Sequence, residues 1–288
     1  MILHAVETLL AASFDEFQEV PVIKRLLSAI IVLPLLILFI LKANVLLFGC
    51  FIALISCVGL FEFYSMALPE RKSERVLAIA AGGLLPLTLL ADGTHSLFVA
   101  AVALLFLLSA LVFLFRINDI TKVAGELALL LTGFLYIPFL LGHFILLRQS
   151  PHGISWIFLL LIIVMCGDTF AFYVGTSFGK RRLYPVVSPK KSIEGSLGGL
   201  VGSVVGALVV KATFFPELPL GACLSAAVLL GVLGQLGDLF ESLLKRSFGV
   251  KDSGVIIPGH GGILDRLDSL LFAAPAAYYC AWFIFGGQ

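Results

Sequence analysis

Acidic and basic residues alternate in a polar stretch near the C-terminal end of the sequence. Between residues 237 and 269 the chain carries Asp238, Lys245 and a glycine-rich segment, 258–262, with His260 at its centre. Carboxylates bind divalent cations, lysines bind phosphate oxygens, and glycines let backbone N–H groups approach an anion closely. The stretch could instead be an ion-pair network that only ties loops together. Such a network gains nothing from the glycines, so the pattern favours a site for a polyphosphate and a metal ion.

One helical face would bring several of these groups together. Asp238, Ser242 and Lys245 fall at i, i+4 and i+7 if the preceding helix continues past the membrane. Asp265 and Asp268 open the last apolar segment, close to a helix N-terminus, which favours anions. We therefore predict that this stretch forms one wall of the site.

A second polar stretch, 167–199, begins with a carboxylate inside an apolar segment. Asp168 is costly there unless it is functional or is paired with a cation of a neighbouring helix, and both alternatives stay open. Lys190 and Lys191 lie in a turn bounded by prolines and glycines, which suits phosphate contacts. The basic residues at 180–182 are ordinary charges of a membrane-protein loop.

The composition shows what must position these groups. The chain has 288 residues, of which 60% are hydrophobic and only 13% are charged, whereas ordinary soluble domains have about 25% charged residues. Apolar runs long enough to cross a bilayer fill most of the sequence. The net charge of +1 gives no reason to expect nucleic-acid binding, and the five cysteines form no C-x-x-C pair that would predict a zinc site.

The hydropathy pattern predicts an all-α polytopic membrane protein with about nine transmembrane helices. These spans lie near 26–41, 43–61, 76–91, 96–115, 125–147, 155–175, 196–215, 219–237 and 264–285. With nine spans, sixteen of the nineteen lysines and arginines fall on one side, which predicts that this side and the N-terminus are cytosolic. Residues 1–23 are predicted to form an amphipathic extension, and residues 24–288 a single membrane-embedded catalytic domain whose site lies in loops 167–199 and 237–269.

The stretch from Ser242 to Asp268 resembles, position for position, the signature of the phosphatidate cytidylyltransferases, also called CDP-diacylglycerol synthases. The matching positions are Ser242, Lys245, Arg246, Lys251, Asp252, His260, Gly261, Gly262, Asp265, Arg266 and Asp268. The earlier elements D-x-x-A-F-x-x-G-x-x-x-G-K and S-P-x-K-S-x-E-G also resemble the family, so the resemblance extends from about residue 24 to the end. Phe172 stands where the family commonly has Tyr, and Ser192 where it commonly has Thr.

The resemblance implies an enzyme that transfers the cytidylyl group of CTP to phosphatidic acid, giving CDP-diacylglycerol and pyrophosphate. It also implies a homodimer and a Mg²⁺-dependent site with one or two ions, which a monovalent cation could accompany. The family's metal ligands map onto Asp238 and Asp265, with Asp168 and Asp268 as supporting carboxylates. The implied contacts to the nucleotide or the lipid phosphate are Lys191, Ser242, Lys245, Arg246, Lys251, His260, Gly261, Gly262 and Arg266.

Two other functions remain open from the sequence. A CTP-dependent polyprenol or phytol kinase would transfer the γ-phosphoryl group instead, and an ion-coupled transporter would also place a carboxylate within the membrane. The full signature favours the cytidylyltransferase, and no internal repeat supports the transporter. By analogy, the short chain is expected in a prokaryotic inner membrane with its site facing the cytosol. Glu62, at the end of the second span, either matches a family position or is an interfacial anchor.

Overall fold

The computed structural model describes residues 33–91, 95–116, 119–254 and 261–286. Within these ranges the chain is almost entirely helical, which confirms the predicted all-α class. The predicted extension at 1–23 and the predicted contact His260 lie outside the described residues.

Ten α-helices and one short hairpin make up the described structure. The helices are α1 (Leu33–Lys42), α2 (Val45–Ala67), α3 (Lys72–Leu84), α4 (Ser96–Phe115), α5 (Val123–Phe134), α6 (Leu140–Gln149), α7 (Gly153–Phe178), α8 (Ile193–Thr213), α9 (Leu220–Ser247) and α10 (Leu264–Phe285). A 3₁₀ turn, Leu85–Leu90, extends α3, and a π-helical turn, Leu135–Phe139, joins α5 to α6. The hairpin pairs β1 (Arg182–Tyr184) with β2 (Ser188–Ser192) in antiparallel register.

Eight segments among the described residues are long and apolar enough to cross a membrane. They coincide with the last eight of the nine predicted spans, and α1 is the described part of the first. Helix α9 continues as helix well past residue 237, as the predicted face formed by Asp238, Ser242 and Lys245 requires. The structure therefore supports eight of the nine predicted spans, and most of the first one lies outside the described residues.

Glycines allow the helices that carry the site to pack closely. A Cβ atom at Gly202 would lie 2.6 Å from the carbonyl O of Cys166, so α7 and α8 are in contact along their backbones. A Cβ atom at Gly237 would collide with the carbonyl O of Asp268, which brings α9 and α10 together beside two predicted site residues. The small residues thus fix how near the carboxylates of neighbouring helices stand.

The connections that follow α2, α4, α7 and α9 lie at one end of the helix bundle. Arg71, after α2, donates a hydrogen bond of 3.0 Å to the carbonyl O of Arg116, after α4. Glu62, near the end of α2, accepts one of 3.0 Å from the backbone N–H of Leu264, at the start of α10. Lys191, after α7, contacts Asp238 on α9. The polar chemistry of the described chain is therefore concentrated at this end.

Candidate active site

Three carboxylates from three helices stand near a single lysine, and we call these four residues the acidic cluster: Asp168, Asp238, Asp268 and Lys191. Lys191 Nζ lies 2.5 Å from Asp238 Oδ2. Asp168, on α7, interacts electrostatically with both Asp238 and Lys191, and Asp268, on α10, interacts with all three of the others. Asp168 interacts with a lysine as well as with further carboxylates, so a structural ion pair and a functional group both stay open as interpretations of this residue.

The acidic cluster opens into a cleft of about 400 Å³ between α7, α8, α9 and the hairpin. Asp168, Lys191 and Asp238 line it together with Lys190 and Phe172. The side chain of Phe172 is 65% exposed, so the position at which the family commonly has a tyrosine faces open space. Acidic groups and the two predicted phosphate-binding lysines thus share one cavity.

The hairpin places Lys191 over the cleft because both its ends are fixed. The Ser192 hydroxyl caps α8 by accepting a hydrogen bond of 3.1 Å from the N–H of Gly195. Glu194, in the first turn of α8, accepts hydrogen bonds from the backbone N–H groups of Lys180 and Arg181. It also forms an ion pair with Arg181 Nε. Arg181 is therefore held by a structural contact, in line with its prediction as an ordinary loop charge.

A second polar group, which we call the Lys245 cluster, consists of Glu241, Lys245 and Asp265. Lys245 forms ion pairs with Glu241, one helical turn earlier on α9, and with Asp265 Oδ1 at 2.5 Å. Asp265 Oδ2 accepts three hydrogen bonds of 3.0 to 3.1 Å, from the N–H and hydroxyl of Ser253 and from the N–H of Gly262. Asp265 therefore holds the ends of the glycine-rich loop as well as the lysine.

Facing residues of α9 and α10 form two neighbouring pairs, which we call rungs: Asp238 with Asp268, and Glu241 with Asp265. Asp238 and Glu241 lie one turn apart on α9, and Asp265 and Asp268 lie one turn apart on α10. Asp238 faces Asp268, while Glu241 faces Asp265 through Lys245. The predicted metal ligands Asp238 and Asp265 thus occupy adjacent rungs.

Glu62 positions the start of α10 from a buried site. Its carboxylate accepts hydrogen bonds of 3.0 Å from the N–H groups of Ile263 and Leu264 and from the hydroxyl of Ser253. Its side chain is only 2% exposed, so the interfacial-anchor alternative for Glu62 is wrong. A Cβ atom at Gly254 would lie 2.6 Å from Glu62 Oε1, which explains why glycine is needed there.

The remaining predicted residues lie around the Lys245 cluster. Arg246 is exposed and donates a hydrogen bond of 3.2 Å to the carbonyl O of Val250. Lys251 and Arg266 are exposed, and Ser242 is half-buried on α9. Gly261 has φ +82°, a conformation that side chains rarely adopt, and a Cβ there would lie 3.1 Å from Asp265 Oδ2. The loop around Asp265 therefore requires glycine for both its backbone and its space.

Sequence reasoning missed two residues of this region. Glu241 is a buried partner of Lys245, and its spacing of four residues on a predicted helix was the available signal. Tyr136, on the π-helical turn, is buried and interacts electrostatically with Glu241, Asp268 and Asp238. A lone tyrosine in an apolar segment gives no such signal, and only the nearby Pro138 marks that turn in the sequence.

The acidic cluster has the donor chemistry for a divalent cation. Three carboxylates face one ammonium group, so the ionised cluster carries two negative charges that Lys191 does not balance. Hard cations such as Mg²⁺ prefer carboxylate oxygens. In the described part of the chain, no three His, Cys, Asp or Glu side chains already converge as a complete ligand set. The cluster fits a cation that brings its remaining ligands with it, as Mg²⁺ does with water and phosphate oxygens.

Comparisons with known proteins agree with this chemistry. The family model described as "cytidylyltransferase family" matches residues 23–284. The chain is 34% identical over 270 residues to a phosphatidate cytidylyltransferase of Bacillus subtilis, covering 89% of this chain and 96% of that protein. It is 31% identical to the Thermotoga maritima protein of the same name, over 88% of this chain and 94% of the relative. A Staphylococcus saprophyticus phosphatidate cytidylyltransferase is 44% identical over 135 residues, which are 47% of this chain and 52% of that protein.

Proposed function

The chain belongs to the cytidylyltransferase family, and we propose that it transfers the cytidylyl group of CTP to phosphatidic acid, forming CDP-diacylglycerol and pyrophosphate. The observation that carries this proposal is the cleft that combines the acidic cluster with Lys190 and Lys191 at the polar end of a membrane-spanning bundle. A lipid phosphate and a nucleotide triphosphate are both anions, and this cleft holds the groups that bind them.

The reaction needs charge stabilisation more than a general base. A phosphate oxygen of phosphatidic acid is already an anion when it attacks the α-phosphorus of CTP, and pyrophosphate leaves with the electron pair of the broken P–O bond. The barrier lies in bringing two anions together and in stabilising the leaving group. Fixed cations meet this need, and Lys191 is held in place by the capped start of α8.

We assign Mg²⁺ to the carboxylates of the adjacent rungs. Asp238 and Asp265 would hold the ion or ions, with Asp168 and Asp268 as supporting carboxylates. When bound, the metal neutralises phosphate oxygens and polarises the reacting phosphoryl group. The unbalanced charge of the acidic cluster supports this assignment, as does the oxygen-only donor set.

The basic residues then have separate tasks. Lys190 and Lys191 line the cleft and contact phosphate oxygens of the substrates. Lys245 links the two helices through Glu241 and Asp265, so it holds one rung together. Its proposed role toward the substrates is to neutralise charge on the pyrophosphate. Arg246, Lys251, His260, Arg266, Ser242, Gly261 and Gly262 complete the contacts to the triphosphate or the lipid headgroup.

The site faces the cytosol in this proposal, and the protein works as a homodimer. With the nine predicted spans, sixteen of the nineteen lysines and arginines fall on one side of the membrane, which the positive-inside rule assigns to the cytosol. CTP then reaches the cleft from the cytosol while the lipid headgroup stays at the interface. The dimer rests on the family resemblance, and light scattering of the detergent-solubilised protein tests it.

Labelled CTP tests the reaction directly. Purified protein in detergent is given phosphatidic acid and CTP labelled at either the α- or the γ-phosphorus, with Mg²⁺ or with excess EDTA. We expect the α-label in a lipid product, release of pyrophosphate, and no transfer in EDTA. Asp265→Asn serves as the inactive variant, checked for its fold by gel filtration.

Each other outcome overturns the proposal in a different way. Transfer of the γ-label alone would show a lipid kinase. No transfer of either label by folded protein would exclude both activities and favour a transporter. Equal α-transfer with Mg²⁺ and with EDTA would exclude the metal assignment while leaving the cytidylyl transfer in place.

A further inference from the structure

Tyr136 has a buried hydroxyl without a hydrogen-bond partner among the residues that the structure describes. Its side chain is only 4% exposed, and the aromatic rings of Phe63, Phe240 and Phe272 surround it at centroid distances of 5.3 to 6.4 Å. Leaving a buried donor unpaired is unfavourable, and native proteins rarely do so without a bound water, ion or ligand. The hydroxyl therefore requires a partner that the polypeptide does not supply.

Tyr136 lies beside the candidate active site, because its ring packs against Phe240 on α9 and Phe272 on α10. Tyr136 interacts electrostatically with Glu241, Asp268 and Asp238, which belong to both rungs between α9 and α10. Among the residues that the structure describes, none of these carboxylates forms a hydrogen bond with it. A single water molecule between the phenol and a carboxylate would give both groups a partner.

The backbone at Tyr136 is unusual as well. Residues Leu135–Phe139 form a π-helical turn within an otherwise α-helical span, and Pro138 lies inside it. Proline lacks the N–H group of a regular helix, so the hydrogen-bond ladder is interrupted at this point. Single π-turns of this kind occur frequently at functional sites, where they redirect a side chain.

We propose that Tyr136 is a positioning residue of the active site, whose hydroxyl donates a hydrogen bond to a water molecule in the coordination shell of the metal. Mg²⁺ keeps several of its waters when it is bound by one or two carboxylates, so such a partner is available. Groups that bond to a metal's inner ligands set the geometry and affinity of the ion. The inference rests on the proposed metal-dependent function, and it adds the span α5–α6 to the elements that build the site.

Tyr136→Phe removes the hydroxyl and leaves the ring packing intact. We expect the affinity for Mn²⁺, used in place of Mg²⁺ and followed by electron paramagnetic resonance on purified protein in detergent, to fall about tenfold. The Mg²⁺ concentration for half-maximal CTP transfer should rise by a similar factor. The melting temperature of the metal-free protein should not fall, because the variant removes an unpaired polar group.

Tyr64→Phe is the matched control. Tyr64 is also fully buried, but its hydroxyl donates a hydrogen bond of 2.6 Å to the carbonyl O of Leu130, away from the carboxylates. This variant should melt at a lower temperature and bind Mn²⁺ like the unchanged protein. The two variants therefore separate a role in metal binding from a role in packing.

The outcomes distinguish this inference from the proposed function. If the unchanged protein transfers the α-label but Tyr136→Phe binds Mn²⁺ as tightly as it does, the inference is wrong and the function stands. If Tyr64→Phe weakens Mn²⁺ binding equally, Tyr136 has only a packing role. Weaker Mn²⁺ binding by Tyr136→Phe alone, in a protein that transfers no α-label, would support the inference and reject the function.

Discussion

Two groups of charged residues lie at the same end of the bundle, and they differ in how completely the protein satisfies them. The Arg71 network consists of Arg71, Glu74, Arg116 and Glu126. Arg71 is 4% exposed, donates hydrogen bonds of 3.0 and 2.6 Å to Glu126 and one of 3.0 Å to the carbonyl O of Arg116, and lies 5.2 Å from the Phe113 ring centroid. The hydrogen bond with Glu126 keeps the pKa of Arg71 above its ordinary value. In the acidic cluster, by contrast, three carboxylates share one lysine.

This difference separates a structural ion network from a ligand site. Buried charges are stable when they are paired and hydrogen-bonded. The Arg71 network meets that condition, because Arg71 forms ion pairs with both Glu74 and Glu126, and Arg116 is a further cation near Glu74. The ionised acidic cluster has two more negative charges than positive ones, and three of its four residues, Asp168, Lys191 and Asp238, line a cleft. The Lys245 cluster lies between these extremes, because Asp265 is held by four donors but borders the acidic cluster. Unbalanced charge in an accessible cleft is thus the more informative sign of function.

Asp238→Asn should have the largest effect on activity. We expect CTP transfer to fall on the order of 1,000-fold, because losing a metal ligand removes several kcal/mol of transition-state stabilisation. The melting temperature should stay the same or rise, since one of three mutually repelling carboxylates is gone. Initial rates and thermal unfolding in detergent check both expectations.

The same substitution at Asp119 is the control for Asp238→Asn. Asp119 lies at the same end of the bundle, outside the cleft, and its carboxylate accepts hydrogen bonds from the backbone N–H and the hydroxyl of Thr121. Asp119→Asn should leave the rate unchanged. A comparable loss of activity in both variants would remove the distinction between the cleft and its surroundings.

Asp265→Asn should lower both the reaction rate and the folding stability of the protein. It removes a proposed metal ligand, so the rate should fall about 100-fold or more. It also weakens the ion pair with Lys245 and the hydrogen bonds to the glycine-rich loop, which should cost about 2 kcal/mol of folding free energy. A variant with full stability and lost activity would show that the loop does not depend on Asp265.

Arg71→Met should affect stability alone. It leaves the Glu126 carboxylate without its main partner, and we expect a loss of about 2 to 3 kcal/mol. The rate per folded molecule should not change, since none of the four residues of the Arg71 network lines the cleft. Thermal unfolding measures the stability, and rates normalised to the amount of folded protein measure the activity. If Mg²⁺ no longer activated this variant, the distinction between the Arg71 network and the acidic cluster would be wrong.

Glu62→Gln should have the smallest effect of the four. The amide keeps one acceptor oxygen for the start of α10, but its NH2 group cannot accept the backbone N–H bond made by the other carboxylate oxygen, at a cost of about 1 kcal/mol. The apparent KM for CTP should rise modestly because the loop before Asp265 loosens, while kcat changes little. A kcat loss as large as that of Asp265→Asn would instead place Glu62 among the groups that act on substrate.

Much of the fold follows from the sequence because hydropathy fixes where membrane helices lie. Glycine at 202 allows the backbones of α7 and α8 to come into contact. The sequence could not show which helices pair, because lipid-facing and packed surfaces are equally apolar. The pairing of α9 with α10 through Gly237 is therefore a result of the structure.

The sequence predicted which types of residue form the candidate site better than it predicted how those residues are arranged. Asp168 was identified because a charge is costly within an apolar segment. Lys191 was identified from its turn, and Asp238 from the helical face that it shares with Lys245. The two rungs between α9 and α10 depend on tertiary packing that spacing alone does not encode. Glu62 and Tyr136 act from other spans, 191 residues from Ser253 in the case of Glu62, and no local pattern links residues so far apart.

Thermal unfolding during a Mg²⁺ titration tests the comparison most directly, with the unchanged protein, Asp238→Asn and Arg71→Met measured side by side. A ligand that binds only the folded state stabilises the protein, and above Kd the stabilisation grows with the logarithm of the ligand concentration. We predict that Mg²⁺ raises the melting temperature of the unchanged protein and of Arg71→Met by the same increment, and that Asp238→Asn shows no increment. Equal stabilisation of Asp238→Asn and the unchanged protein would contradict the assignment of the metal to the acidic cluster.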